Sequence, residues 1–180
     1  MTIPVSLNID IHLDSIFPRC LKEYYDVISK IGDPSINRFN NVCSGMRSYL
    51  GLKKHGFYNS CIDLSNYLEH IKDNKPNDKI SYCTYFNFKL KDKLNGLQHN
   101  CEGEVGCYAK MLSVMDGSTG KNNVSNICKD HINVLDNATF SLFQMLKGLY
   151  YKSHELLIKD EEFQRDNKCF NIYEKLCKIC

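Results

Sequence analysis

The stretch ISYCTYFNFKLKDKL, residues 80–94, decides the fold class. Its apolar residues return at the spacing of three to four that places side chains on one helix face. On or near that face lie Ile80, Cys83, Phe86 or Asn87, Leu90 and Leu94. The following Asn95-Gly96 pair is typical of a helix end. Because its cysteine occupies an apolar position, this stretch is predicted to be a core helix that carries a cross-link.

The same period recurs along the chain. Further helices are predicted over about residues 14–31, 34–55, 61–71, 108–115, 128–158 and 169–180. Pro18 falls in the first turn of the first helix, and the 128–158 stretch is one helix or two, with Asp136-Asn137 as the weak point. In the second helix, Ile36, Phe39, Cys43, Met46 and Leu50 share the predicted buried face. We therefore predict an all-α, disulfide-stapled bundle of about six to eight helices.

The length and composition fit one domain. A chain of 180 residues that is 43% hydrophobic can build a sizeable core. We predict an N-terminal segment at residues 1–14 and a single helical, disulfide-bonded ectodomain at residues 15–180. Residues 1–17, MTIPVSLNIDIHLDSIF, have no basic start and do not form a convincing signal peptide. No stretch approaches the ~20 apolar residues that span a bilayer, so membrane attachment is not expected to be encoded here.

Ten cysteines are placed within this helical pattern rather than in loops. A large core makes rescue of a weak fold unnecessary, so the cysteines indicate an oxidising, extracellular setting. Buried free thiols are the other interpretation. We predict structural disulfides between helices, with pairing left open, among Cys20, Cys43, Cys61, Cys83, Cys101, Cys107, Cys128, Cys169, Cys177 and Cys180.

Several familiar chemistries are not supported by the sequence. With 23 Lys+Arg against 21 Asp+Glu, the chain is nearly neutral and is not expected to bind nucleic acid. Cys177 and Cys180 end a predicted helix, which is the wrong end for a redox pair, and lack a matching pair for zinc. The Gly117–Lys121 loop lacks phosphate-loop spacing. No histidine has a ligand-like partner, except the neighbours His154 and Glu155. We predict no catalytic, metal or cofactor site.

Residues 82–92, YCTYFNFKLKD, resemble the signature of the Plasmodium interspersed repeat (PIR) family, which includes the vir antigens of Plasmodium vivax. That signature typically reads Cys-x-Tyr-Leu-Asn-Tyr-Trp-Leu-x-Asp. The chain keeps Cys83, Tyr85, Asn87 and Leu90, with Asp92 displaced by one position. It departs by having Phe86, Phe88 and Lys89 in place of leucine, tyrosine and tryptophan. The order of the later cysteines extends the resemblance over about residues 15–180.

The resemblance implies the ectodomain of a variant antigen. Such proteins are exported to the infected erythrocyte, displayed on its extracellular face or secreted, and implicated in adhesion and immune evasion. The implied partners are a host cell-surface receptor and antibodies. The alternative is an exported structural or trafficking component that binds a parasite partner. An enzyme is the least favoured class.

The signature residues are expected to be structural, with Asn87 hydrogen-bonded to a neighbouring element. The receptor-contacting residues are not identified by the sequence. We expect binding in the irregular stretches, residues 72–79 and 96–123, since loops vary on a fixed scaffold. The 11 tyrosines are expected to be half-buried on helix faces or exposed at a contact surface.

Overall fold

The structure, a computed structural model, describes residues 13–49, 57–97, 101–116, 124 and 126–159. Within these ranges the chain forms seven α-helices and no strand, which confirms the all-α bundle. The helices are α1 (Leu13–Ile16), α2 (Arg19–Ser29), α3 (Asn40–Tyr49), α4 (Tyr58–Asn74), α5 (Lys79–Leu94), α6 (Gly103–Asp116) and α7 (Asn137–Lys159). Single 3₁₀ turns lie at Pro34–Ile36 and Lys129–His131.

The first predicted helix is divided in two. α1 ends at Ile16 and α2 begins at Arg19, so the prediction of one helix over 14–31 is wrong. Pro18 has no amide hydrogen and its ring clashes with a preceding helical turn. The break directs Phe17 into the core, where it is 2% exposed and its ring centroid lies 5.4 Å from that of Phe143.

The second predicted helix begins later than expected. Asp33 does act as an N-cap, accepting a hydrogen bond from Ser35 N at 2.8 Å, but it caps only the 3₁₀ turn. α3 then starts at Asn40. As a result Ile36 is 83% exposed, and its predicted burial is wrong. The predicted neighbours on that face are buried: Phe39, Cys43 and Met46.

α4 and α5 follow the prediction most closely. The predicted core positions of α4 are buried, and these are Cys61, Leu64, Leu68 and Ile71. In α5, Ile80 is 62% exposed rather than buried, because it lies in the first turn beyond the Asp78 N-cap. The helix ends at Leu94, and Gly96 then adopts φ 79°, a conformation that suits glycine.

The chain between α5 and α7 departs furthest from the prediction. α6 begins at Gly103, five residues before the expected 108–115 helix. Residues 132–136 are not helical, although the sequence predicts a helix from residue 128. Side chains of α5 bind carbonyl groups of this segment: Asn87 Nδ2 donates to Asn133 O, and Lys91 Nζ donates to Leu135 O. A helix would use these two carbonyl groups as its own hydrogen-bond acceptors, so the segment remains non-helical. α7 begins at Asn137, within the Asp136-Asn137 pair that the sequence indicates as the weak point.

Three disulfides cross-link the described residues. Cys43–Cys61 joins α3 to α4, and Cys83–Cys128 joins α5 to the turn before α7, with Cα atoms 5.6 and 5.3 Å apart. Cys101–Cys107 is local, with a sequence separation of 6, and braces the start of α6 rather than joining two helices. The bundle is therefore stapled across its interior twice and at one helix start.

Cys20 departs from the predicted set of disulfide cysteines. It is a buried free thiol on α2, and its sulfur donates to Ser15 O at 3.8 Å. Burial raises the pKa of this thiol to about 11, so it is inert at neutral pH. The remaining predicted disulfide cysteines, and the predicted helix that carries them, lie outside the described residues: Cys169, Cys177 and Cys180.

The cap of α7 provides a direct test of the fold. Asp136 accepts hydrogen bonds from Thr139 N at 2.8 Å and Thr139 Oγ1 at 2.7 Å. Asp136→Ala is expected to lower the free energy of unfolding by about 1 kcal/mol, since both amide and hydroxyl donors lose their acceptor. Chemical denaturation would measure the loss. Asp136→Asn retains one acceptor oxygen and is the control; an equal loss in that variant would contradict the capping role.

Candidate binding site

The two stretches predicted to bind lie at opposite ends of α5. The first is shorter than predicted, because 72–74 belong to α4; Lys75, at φ 42°, then turns the chain toward the Asp78 cap of α5. The described parts of the second are 96–97 and 101–116, beyond the other end of α5. A helix of 16 residues is about 24 Å long. The first stretch therefore meets α5 at one end and the second leaves it at the other.

A pocket of about 240 Å³ lies at the end where α5 gives way to α6. We call it the corner pocket. It is lined by Lys91, Leu94, Asn95, Gly96, Leu97, Gly103 and Glu104. Both glycines have positive φ, 79° for Gly96 and 65° for Gly103, and neither has another group within 4 Å of where a Cβ would stand. Two backbone reversals therefore shape the pocket.

An ion pair lies among the lining groups of the corner pocket. Lys91 Nζ lies 3.0 Å from Glu104 Oε1, and the side chains are 19% and 9% exposed. Lys91 also donates to Leu135 O and lies 5.4 Å from the ring centroid of Phe140. Removing either charge leaves the other poorly solvated. The pair is thus a fixed, electrically neutral polar part of a pocket whose other side chains include two leucines.

Exposed apolar side chains adjoin the corner pocket in sequence. Val105 follows the lining residue Glu104 and is 42% exposed. Val134 precedes Leu135, whose carbonyl binds the lining residue Lys91, and is 65% exposed. Cys101–Cys107 braces the chain on either side of Gly103. The chain that lines the pocket is therefore cross-linked near Gly103, and its sequence neighbours include two exposed valines.

The signature residues of α5 are structural, as expected from the sequence. The side chains of Cys83, Phe86, Asn87 and Leu90 are all buried. Asn87 Nδ2 donates to Asn133 O, which confirms the predicted bond to a neighbouring element. Cys83 forms the disulfide to Cys128. This part of the chain holds the segment before α7 against α5.

α5 carries a buried lysine whose ammonium group lies near α2 and an α7-bound carboxylate, and the sequence does not predict its burial. Lys89 of α5 is 2% exposed; its Nζ lies 4.8 Å from the ring centroid of Tyr24 and 3.2 Å from Asp92 Oδ2. Asp92 is also bound by Gln144 Nε2 at 2.6 Å and Lys147 Nζ at 3.0 Å, both from α7. Burial lowers the pKa of Lys89 to about 8. A lysine in a helix is ordinarily expected to face solvent; the one signal for burial is that Lys89 stands where the PIR signature has a tryptophan.

Tyrosines on α2, α4 and α5 pack against one another more deeply than expected, and one of them, Tyr24, contacts this lysine. The ring centroid of Tyr24 lies 5.2 Å from that of Tyr67 and 5.9 Å from that of Tyr85. All three residues are fully buried. Burial raises the pKa of each hydroxyl above its ordinary value. These rings are core residues rather than half-buried or exposed ones.

The hydroxyl of Tyr85 has no hydrogen-bond partner among the described residues. Tyr85→Phe is therefore expected to leave the free energy of unfolding unchanged or to raise it by about 1 kcal/mol, since an unpaired buried hydroxyl opposes folding. Thermal and urea unfolding would measure the change. Tyr82→Phe is the matched control on the same helix. It removes a hydroxyl that donates to Glu23 Oε1 at 2.8 Å and should cost about 1 kcal/mol. A loss of unfolding free energy in Tyr85→Phe as large as in this control would show that the Tyr85 hydroxyl does have a stabilising partner.

His70 lies in a polar contact between α2 and α4. Its Nε2 is 2.8 Å from Glu23 Oε2, and Glu23 also accepts from Tyr82. No group of three or more His, Cys, Asp or Glu side chains placed to hold a metal occurs within the described ranges. The Gly117–Lys121 loop, the Cys177–Cys180 pair and the side chain of His154 fall outside the residues that the structure describes.

In the part of the chain that the structure describes, no helix has the length and apolar character needed to cross a membrane. Comparison with protein-family models, curated proteins and solved structures finds no match to this chain. The fold and the site geometry together define the class of protein: an all-α, disulfide-stapled domain with a small pocket where α5 gives way to α6. The resemblance of residues 82–92 to the PIR signature rests on the sequence alone.

Proposed function

We propose that the chain is the extracellular domain of a variant surface antigen of the PIR type, and that it binds a host cell-surface receptor without catalysis. The observation that carries the proposal is the pair of buried cross-links, Cys43–Cys61 and Cys83–Cys128. They connect elements of a core that is already rich in buried aromatic rings. Such disulfides form and persist in oxidising compartments. This chemistry supports an extracellular location for the domain.

The shape of the molecule supports a binding role. The deeply buried residues hold α2, α4 and α5 together, so the ends of α5 are displayed on a fixed scaffold. The corner pocket, at about 240 Å³, is smaller than the roughly 300–1,000 Å³ of typical small-molecule sites. It therefore suits part of a macromolecule better than a complete substrate. Antibodies are further partners of such a surface.

Localisation is the first test. Intact infected cells would be labelled with an antibody against the oxidised domain, with permeabilised cells as the control for total antigen. Labelling of intact cells is the expected result. A signal seen only after permeabilisation would favour an exported structural or trafficking component and would contradict the adhesion proposal.

Receptor binding is the second test. The oxidised domain would be screened by surface plasmon resonance against a panel of host receptor ectodomains. At least one saturable interaction is expected, and it should disappear when the domain is reduced and unfolded. A panel that covers the receptors of the relevant host cells and gives no saturable binding would contradict the proposal.

A further inference from the structure

Asn137, Ala138 and Thr139 form an Asn-x-Thr acceptor sequence, the pattern at which enzymes of the secretory pathway attach glycans to asparagine. We propose that Asn137 carries an N-linked glycan, and that the glycan is added before the first turn of α7 folds. This inference rests on the proposed function for one point, which is that the chain passes through a secretory pathway. It adds a modification site to the binding role of the domain.

The surroundings of Asn137 leave space for a glycan. Asp136, Asn137 and Ala138 are all exposed, so the asparagine is open to solvent where α7 begins. Among the described residues, no group forms a hydrogen bond with the side-chain amide of Asn137. N-linked glycans are bulky and occupy the protein surface. A sugar on this amide therefore displaces no hydrogen bond of the described fold.

The second acceptor sequence of the chain lies in a different environment. It spans residues 123–125, of which the structure describes the middle one. That residue, Val124, is fully buried, whereas Ala138 at the corresponding position of the first sequence is exposed. A glycan has to extend into solvent from its point of attachment. The exposure of the described residues therefore favours Asn137.

The transfer reaction uses both ends of the acceptor sequence. The donor is an oligosaccharide joined through its first N-acetylglucosamine to a lipid pyrophosphate. The amide nitrogen of Asn137 forms a bond to the anomeric carbon of that sugar, while the bond from this carbon to the pyrophosphate oxygen breaks. The amide gives one proton to a base of the transferase, and the lipid pyrophosphate leaves with the electron pair. The hydroxyl of Thr139 has to be available, because the enzyme recognises its acceptors by that group.

The folded domain does not offer the threonine hydroxyl. Thr139 is 1% exposed, and its Oγ1 donates to Asp136 Oδ2 at 2.7 Å. Its backbone N donates to the other carboxylate oxygen at 2.8 Å. The segment before α7 is held as well, because two side chains of α5 bind its carbonyl groups. The acceptor sequence must therefore react while it is unfolded, after which folding buries the threonine and leaves the glycan outside.

Mass spectrometry of the chain purified from the cells that produce it tests the assignment. After reduction, trypsin places the two acceptor sequences in different peptides, residues 122–129 and 130–147. The second peptide is expected to carry N-acetylglucosamine, which fragmentation should place on Asn137. Asn133 in the same peptide is the internal control, since it is exposed but lacks serine or threonine two positions later. A peptide 130–147 without a glycan, or with one on another residue, would overturn the proposal.

Surface labelling of the same cells separates this inference from the proposed function. A chain that is detected on intact cells and carries no glycan at Asn137 would overturn the inference and leave the proposed function standing. A glycan at Asn137 in a chain detected only after permeabilisation would support the inference and contradict the adhesion proposal.

The order of glycan addition and folding is tested with purified oligosaccharyl transferase and a lipid-linked donor, with transfer measured on peptide 130–147. The reduced and alkylated chain is the expected acceptor. The folded, oxidised chain should react at least about fivefold more slowly, since a helix cap alone shifts a folding equilibrium by about that factor. Asp136→Ala releases Thr139 and should speed transfer to the folded chain, whereas Asp130→Ala, at an exposed aspartate outside the cap, should not. Equal transfer to the folded and unfolded chains would overturn the proposed order.

Discussion

Replacing Cys83 and Cys128 together with alanine is expected to lower the free energy of unfolding by about 4 kcal/mol, the largest effect of any cross-link in the described residues. The two cysteines are separated by 45 residues, and closing so long a loop removes much of the entropy of the unfolded chain. Both sulfurs are fully buried, so their loss also leaves poorly filled space.

The other two disulfides supply the comparison. The separations of 18 and 6 residues predict losses of about 3 kcal/mol for the Cys43–Cys61 pair and about 2 kcal/mol for the Cys101–Cys107 pair. Urea unfolding of the three double variants would give the order of their losses in the free energy of unfolding. If removing the local pair costs more than removing Cys83–Cys128, loop closure is not what these bonds contribute.

Replacing Lys89 with methionine is expected to raise the free energy of unfolding by about 1–3 kcal/mol at pH 7. Burial lowers the pKa of Lys89 from 10.5 to about 8, and a gap of that size corresponds to about 3 kcal/mol against the charged form. Methionine has a similar length and no charge to desolvate. Asp92 keeps its bonds to Lys147 and Gln144, which limits the loss from the broken ion pair.

The stability of the unmodified chain should accordingly depend on pH. Between pH 8 and 10.5 the unfolded chain holds a proton on Lys89 that the folded chain has released, so stability rises with pH through this window. Cys20 opposes this rise from about pH 9, since burial raises its pKa from 9.0 to about 11. The rise is also opposed above pH 10 by the tyrosines whose pKa values burial raises, which are Tyr24, Tyr67, Tyr82, Tyr85 and Tyr108. We expect maximal stability near pH 9.

Guanidinium unfolding between pH 6 and 10 measures both the effect of Lys89→Met and the dependence of stability on pH. In Lys89→Met the rise above pH 8 should be absent, while the decline above pH 9 should remain. Lys93→Met is the control on the same helix, because Lys93 is 31% exposed and pairs with Asp63 at 3.5 Å. That control should change stability by less than about 1 kcal/mol. If the stability of Lys89→Met varies with pH as that of the unmodified chain does, then Lys89 is not the group that causes the rise above pH 8.

The helices that the sequence predicts best are those whose core residues keep one period. Cys61, Leu64, Leu68 and Ile71 are spaced in this way, and α4 forms around them. Prediction failed where a tertiary contact replaced a local preference. The carbonyl groups of Asn133 and Leu135 bind side chains of α5, so a stretch with helical period is not helical. Such a contact joins residues more than 40 positions apart, and local spacing carries no signal for it.

The candidate site was predictable only in part. The expectation that binding uses residues 96–123 agrees with the position of the corner pocket, and that expectation stays a prediction. The participation of Lys91 and Glu104 was not predicted, because each reads as an ordinary surface charge until the two helices meet. The burial of Lys89 was not predicted for the same reason, because its charge does not reveal which side of a heavily buried helix a lysine occupies.

The disulfide topology also determines what happens when the polypeptide is cut. A protease that cleaves anywhere between Cys43 and Cys61, or between Cys83 and Cys128, leaves two fragments that are still covalently joined. Together these intervals include all of α6 and the connection between α3 and α4. A nicked molecule would migrate as one species on a non-reducing gel and separate only after reduction. A domain exposed to extracellular proteases would thus survive single cuts in both intervals without losing a part of itself.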